Sequence, residues 1–149
     1  MAAATENLNL TVLTTYYDLY EFPVAAGKII YKNTLVGLNA SGYAARLSGT
    51  ALKFAGLAYA SANNLSGSAG DVTAKVYGPG TVVEFPVSSL SSVQANVGDA
   101  FFASADNIAR GPALSSGRTY IGRGVGVGNR SGYMFISTQP VWANDEKTL

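Results

Sequence analysis

The sequence predicts an all-β domain, a sandwich or small barrel of short antiparallel strands preceded by an extended N-terminal arm. Three observations carry that expectation. Apolar and polar residues alternate over short runs, as in Val72-Thr73-Ala74-Lys75-Val76, the period of a half-buried strand. Turn-forming residues punctuate the chain at roughly 8–12-residue spacing, the rhythm of an antiparallel sandwich or barrel. Long helical periodicity is absent.

Each element follows from local chemistry. Residues 8–22 combine the alternation Leu8-x-Leu10-x-Val12 with the β-formers Thr14, Thr15, Tyr16, Tyr17 and Tyr20, which favours extended chain. After Pro23 and the turn at Ala25-Ala26-Gly27, a strand is expected over 28–31. The runs 34–38 and 43–47 flank Asn39-Ala40-Ser41-Gly42 and read as a hairpin. Glycines 49 and 56 weaken a helix over 50–62, so a helical turn at 50–53 and a strand at 54–60 are expected. Residues 63–70 have loop composition. Strands are expected over 71–77 and 81–85, about the turn Gly78-Pro79-Gly80, and over 100–103. A terminal hairpin joins 120–127 to 133–137 through Gly128-Asn129-Arg130-Ser131-Gly132. Two pairs of segments resemble each other: Gly27-Lys28-Ile29 with Gly98-Asp99-Ala100, and Phe54-Ala55-Gly56 with Tyr120-Ile121-Gly122. Duplication and shared turn grammar both account for this.

Composition narrows the chemistry. With 149 residues the chain makes one domain with a real core. It has no Cys and no His, which removes disulfides, thiol nucleophiles, Ser-His-Asp machinery and the commonest transition-metal ligands. Ten Lys and Arg against nine Asp and Glu give a net charge of +1, too weak a field for a phosphate-tracking nucleic-acid binder. No cofactor is expected, and the chain is not expected to be an enzyme. Ala, Gly, Ser and Thr fill 64 of the 149 positions, while charged residues make up 13%. Ordinary chains are about 25% charged, so this surface has lost a usual defence against association. A protein that works packed against others is expected.

The motifs agree. The run Gly122-Arg123-Gly124-Val125-Gly126-Val127-Gly128 never makes G-x-G-x-x-G; its alternation is expected to put four glycines on one strand face, which something approaches closely. Asp71, Asp99 and Asp106 stand in turns, and Asp145 and Glu146 in a polar tail. Glu84 sits inside a strand pattern, expected to face solvent or to pair with Lys75 across a hairpin at Gly78-Pro79-Gly80. Arg110, Arg118, Arg123 and Arg130 cluster in the last third, suited to an acidic partner or to keeping sheet edges soluble. Tyr16, Tyr17, Tyr20 and Phe22 make a sticky segment if they are not core. Trp142, after the last strand, either plugs a barrel end or anchors a partner. The candidate partner-interface residues are therefore Tyr16, Tyr17, Tyr20, Phe22, Arg123, Arg130 and Trp142.

No secretory signal is visible at Met1-Ala2-Ala3-Ala4-Thr5-Glu6, and no run reaches the ~18 apolar residues of a membrane span. The order Phe54-Ala55-Gly56-Leu57-Ala58, Gly70-Asp71-Val72-Thr73-Ala74-Lys75-Val76-Tyr77-Gly78, Val97-Gly98-Asp99-Ala100-Phe101-Phe102-Ala103, Ile121-Gly122-Arg123-Gly124-Val125 and Gly132-Tyr133-Met134-Phe135-Ile136 resembles small bacteriophage capsid cement (decoration) proteins. The resemblance covers about residues 24 to 137. It implies a compact β-barrel or β-tulip domain on the outside of an icosahedral head, with the major capsid protein and two further copies of itself, as a trimer at three-fold positions, for partners. Neither nucleic acid nor membrane would be a partner, and the chain would be made in the host cytoplasm. Residues 1–22 form the arm, 23–138 the β domain and 139–149 a C-terminal tail, with about the first fifteen residues expected to be mobile in isolation. The alternative is a head-fibre or tail accessory β module binding a receptor or glycan.

Overall fold

The computed structural model describes residues 3–13, 19–47, 53–88, 91–111 and 118–140. Twelve strands follow one another: β1 (Leu19–Pro23), β2 (Lys28–Ile30), β3 (Leu35–Leu38), β4 (Ala44–Arg46), β5 (Lys53–Leu57), β6 (Ala62–Asn64), β7 (Thr73–Tyr77), β8 (Val82–Pro86), β9 (Ala100–Ala105), β10 (Ile108–Arg110), β11 (Tyr120–Val127) and β12 (Tyr133–Thr138). A 3₁₀ turn at Gln94–Asn96 is the one helical element among the described residues. None of their helices is long and apolar enough to cross a membrane.

The chain is all-β, as the sequence predicts. The largest sheet has the order β10-β9-β11-β12-β8, all antiparallel. It does not close into a barrel: past the ends of its outer strands, the described residues give one parallel bridge, from Val87 to Ala109, rather than a ladder. A three-stranded sheet, β4-β3-β5, packs against one face of it, and the ribbons β1-β7 and β2-β6 complete the architecture. Sandwich is therefore the better of the two predicted forms.

Strand alternation builds two cores on opposite faces of the three-stranded sheet. Leu35, Phe54 and Leu57 face the large sheet and meet Phe85, Phe101, Ile121, Met134 and Ile136. Val36 and Ala55 face the other way, into a second cluster where five of the nine buried residues are alanine. Side chains that small let sheets approach closely, which is where part of the unusual alanine content goes.

Several expectations need correction. Gly78-Pro79-Gly80 is no hairpin: β7 pairs with β1 and β8 with β12, so the chain changes sheets there. Lys75 instead stands opposite Glu21. The first two residues of the expected loop at 63–70 instead belong to β6, which pairs with β2, and the Asn64 amide donates to the carbonyls of Val24, Ala25 and Ser68. Strand β10 is a further addition, three residues paired back on β9. Of the helical turn expected at 50–53, Lys53 lies among the described residues, and it opens β5.

The N-terminal stretch is extended, as read, but it lies on the chain's own body. Ala4 is buried and donates its N–H to Asp106 Oδ1 at 2.9 Å, while Arg46 Nη1 donates to the Ala4 carbonyl. The Leu8 N–H donates to the Lys32 carbonyl, and the Asn33 amide to the Leu8 carbonyl. Residues 11–13 then run antiparallel along the outer edge of β8, with Leu13 N–H on Val82 O and Glu84 N–H on Thr11 O. An otherwise open sheet edge is thereby covered. For residues 3–13 these contacts argue against the mobility expected of the first fifteen residues: the amides of Leu8 and Leu13 should exchange hydrogen slowly in the isolated chain. Exchange at the rate of an unfolded peptide would restore the mobile arm.

Asp106 makes this docking pH-dependent. Burial pushes its carboxyl above the ordinary value of 3.8, against the opposing pull of the Ala4 N–H and of Arg46. Its Oδ2 has no partner among the described residues, so the charged form lacks hydrogen bonds there. A raised folded pKa means stability that is present below the ordinary value and lost as pH rises through the raised one. Asp106→Asn keeps an acceptor for Ala4 and carries no charge. Between about pH 3 and pH 7 the wild-type melting temperature should fall relative to that of Asp106→Asn. Parallel pH profiles would contradict the assignment.

Candidate interaction surface on the five-stranded sheet

The inner side of the large sheet is spent on the core, so its outer side decides what the sheet presents. Cross-strand register gives that side residue by residue, since directly paired residues share a face. Arg110 lies opposite Phe102, and Phe102 opposite Tyr120. Arg123 lies between Ala100 and Ser137. Phe135 is opposite Glu84, and Tyr133 opposite Pro86. The Tyr120 ring meets Phe102 edge-on, with centroids 5.9 Å apart. Its hydroxyl donates to Gln139 Oε1. Burial raises the Tyr120 pKa above that of an ordinary tyrosine, with Arg123 pulling the other way. The phenol therefore stays protonated across the neutral range and remains a donor.

Two predicted interface residues belong to this face. Arg123 is exposed, and its Nη1 donates to the Gly98 carbonyl at 3.0 Å. Arg130 stands at the tip of the β11–β12 hairpin, held from three directions. Its Nε is 3.5 Å from Glu84 Oε1, its Nη1 donates to the Asn9 carbonyl, and its guanidinium carbon lies 4.0 Å from the Tyr133 ring centroid. Glu84 is 3% exposed, and its Oε2 accepts the backbone N–H of Asn129 at 2.5 Å and of Arg130 at 2.9 Å. The expectation that Glu84 faces solvent or pairs with Lys75 is thus overturned. The fold brings a turn 45 residues away onto this carboxylate, and among the described residues Glu84 is the one carboxylate of the strands on this face.

The other predicted residues do not join the two arginines. Tyr20 and Phe22 sit on β1, opposite Val76 and Ala74. Phe22 is half-buried and packs against the alanine-rich core. Tyr20 is 41% exposed. Tyr16, Tyr17 and Trp142 lie outside the described residues.

The glycine run behaves differently from its reading. Bulges between Tyr120 and Gly122 and between Gly124 and Gly126 break the alternation, so the glycines do not share one face. A Cβ at Gly124 would meet the Phe101 ring at 2.8 Å, while one at Gly126 would touch Phe135 on the outer side. What approaches closely is the protein's own core. Sequence reasoning missed Tyr120, Tyr133 and Phe135 as surface residues. The signal was in β12, where Tyr133 and Phe135 alternate with Met134 and Ile136, so that both faces are apolar. Comparison with protein-family models, with curated proteins and with solved structures returns no match to this chain.

Proposed function

We propose that this chain is a structural virion protein, a cement or decoration protein that binds the outer surface of a phage capsid and stabilises it, as trimers at three-fold positions. The observation that carries the proposal is the outer face of the five-stranded sheet. Its accessible residues include Arg110, Tyr120, Arg123, Tyr133 and Phe135, with Arg130 at the hairpin tip paired to a buried carboxylate, the composition of a protein interface rather than of an idle surface. Aromatic residues there are held by strand pairing and lose little side-chain freedom on docking. The sequence supports the same reading: the resemblance to cement proteins, the low charge, and the lack of His and Cys. Reinforcement of a shell needs many copies of a modest interface and no catalytic group.

The test is the copy number of this chain per purified particle of its source virus, by quantitative mass spectrometry. On the order of hundreds of copies is expected for symmetric decoration of a shell. A handful would place the chain in a fibre or tail accessory that binds a receptor or glycan. Absence from the particle would overturn the virion reading.

A further inference from the structure

We infer that the outer face of the five-stranded sheet docks an acidic protein surface, with Arg130 as the anchor that receives an Asp or Glu carboxylate. The inference rests on reading this face as a partner interface, but not on that partner being a capsid. A guanidinium carries five N–H donors in a fixed fork. At Arg130, Nε is directed to Glu84, one Nη1 hydrogen to the Asn9 carbonyl, and the Tyr133 ring covers one flat side. These contacts leave Nη2 and the second Nη1 hydrogen, and the side chain is 42% exposed. The fork is therefore held in place before any partner arrives, and its remaining donors match a carboxylate.

The support behind Arg130 is unusual for a hairpin tip. Glu84 is almost fully buried and takes the N–H groups of Asn129 and Arg130, so the tip backbone is tied to β8. Ordering that a partner would otherwise have to impose is already complete, which favours affinity. Arg123 and Arg110, on β11 and β10, extend the positive field across the sheet. Among the described strand residues of this face the sole acid is Glu84, whose charge Arg130 already meets. Nucleic acid fits less well. The net charge is +1, and the arginines lie on separate strands with Ser137, Phe102 and Ala100 between them rather than along one continuous track.

The experiment uses the full chain and a fluorescein-labelled oligoglutamate peptide, followed by anisotropy at low salt, with a labelled single-stranded DNA oligonucleotide in a parallel titration. The peptide should bind saturably, and more tightly than the DNA. Arg130→Ala should weaken it about tenfold, and Arg130→Lys nearly as much, because an ammonium cannot reproduce the fork. The double variant Arg110→Ala/Arg123→Ala should weaken it by about threefold and flatten its salt dependence. Thermal melting checks folding; Arg130→Lys keeps the charge beside Glu84 and carries the test if Arg130→Ala unfolds. No saturable peptide binding, an Arg130→Lys variant that binds like wild type, or tighter binding of DNA would each overturn the inference. Peptide binding that behaves as expected from a chain absent from particles would overturn the capsid reading alone. Abundance on particles with Arg130→Lys fully active would overturn this inference alone.

Discussion

Glu84→Ala is expected to destabilise the chain by about 3 kcal/mol, through the loss of an acceptor for two backbone N–H groups of the hairpin tip. Each unsatisfied donor costs roughly 1–3 kcal/mol when it cannot turn to water. Arg130 contributes less to the total, because its half-exposed guanidinium can be solvated once the acid is gone. For a chain of this size the loss corresponds to a melting temperature lower by about 6–12 °C. Glu84→Gln keeps the shape and one acceptor oxygen but loses the charge-assisted bonds, so about 1–2 kcal/mol is expected. Urea unfolding followed by circular dichroism of the β-sheets measures both, with an unchanged m-value showing that stability and not compactness has moved. The sequence reading gives a different number. A solvent-facing acid paired with a lysine would cost under about 0.5 kcal/mol to remove. A cost that small would mean that the Glu84 side chain does not hold the tip.

That difference shows where sequence legibility stops. Strands whose own residues prefer extended chain were legible: Val72, Ala74 and Val76 mark β7, and the hairpin Tyr120–Val127 to Tyr133–Thr138 stands where its flanking runs and its Gly-Asn-Arg-Ser-Gly turn put it. Elements made by a distant partner were not. Nothing in Ala62-Asn63-Asn64 prefers a strand; it becomes one by pairing with the distant β2, with the Asn64 amide donating to the carbonyls of Val24, Ala25 and Ser68 beside it. Pairing was illegible for the same reason. The turn Gly78-Pro79-Gly80 has hairpin chemistry, but β8 finds its partner some fifty residues further on, in β12. At the candidate site, residue type was legible and context was not. Arg123 and Arg130 stood out by charge in a poorly charged chain. What fixes Arg130 comes from Asn9, Glu84 and Tyr133, three positions that no local pattern connects.

The weak repeat in the sequence has a physical origin in the structure. Gly27 and Gly98 both adopt positive φ in the turns that lead into β2 and β9. In β5 the register passes from Val36–Gly56 to Gly37–Phe54, leaving Ala55 as the extra residue of a bulge. In β11 it passes from Tyr120–Phe102 to Gly122–Phe101, leaving Ile121 as the extra residue. Aromatic-x-Gly is thus the same bulge built twice, with the glycine carrying the backbone bend in both. The strands around the two bulges pair differently, so shared turn and bulge chemistry accounts for the resemblance.

Those two bulge glycines should be among the least replaceable residues of the chain. Gly56 has φ +140° and Gly122 φ +156°, a region that side chains rarely enter. A Cβ at Gly56 would lie 3.1 Å from Val76 Cβ and 3.2 Å from the Tyr77 carbonyl oxygen. At Gly122 it would fall on the Ser137 carbonyl oxygen itself, inside the β11–β12 pairing. Neither obstacle is the flexible end of a side chain, so strands must move. Gly56→Ala should therefore cost about 2–3 kcal/mol, and Gly122→Ala about 4 kcal/mol or more, enough to threaten folding at 37 °C in a marginally stable domain. Gly42 and Gly80 supply the control. They too have positive φ, +85° and +83°, but a Cβ there meets nothing within 4 Å. Their alanine variants should lose only about 1–2 kcal/mol, the cost of the backbone conformation alone. The ranking Gly122, then Gly56, then the two turn glycines separates steric collision from backbone strain, and urea melts of the four variants measure it. Equal costs at all four sites would mean that the bulges relax around a methyl group, and that the close approach of β11 to β12 does not hold the sheet's curvature in place.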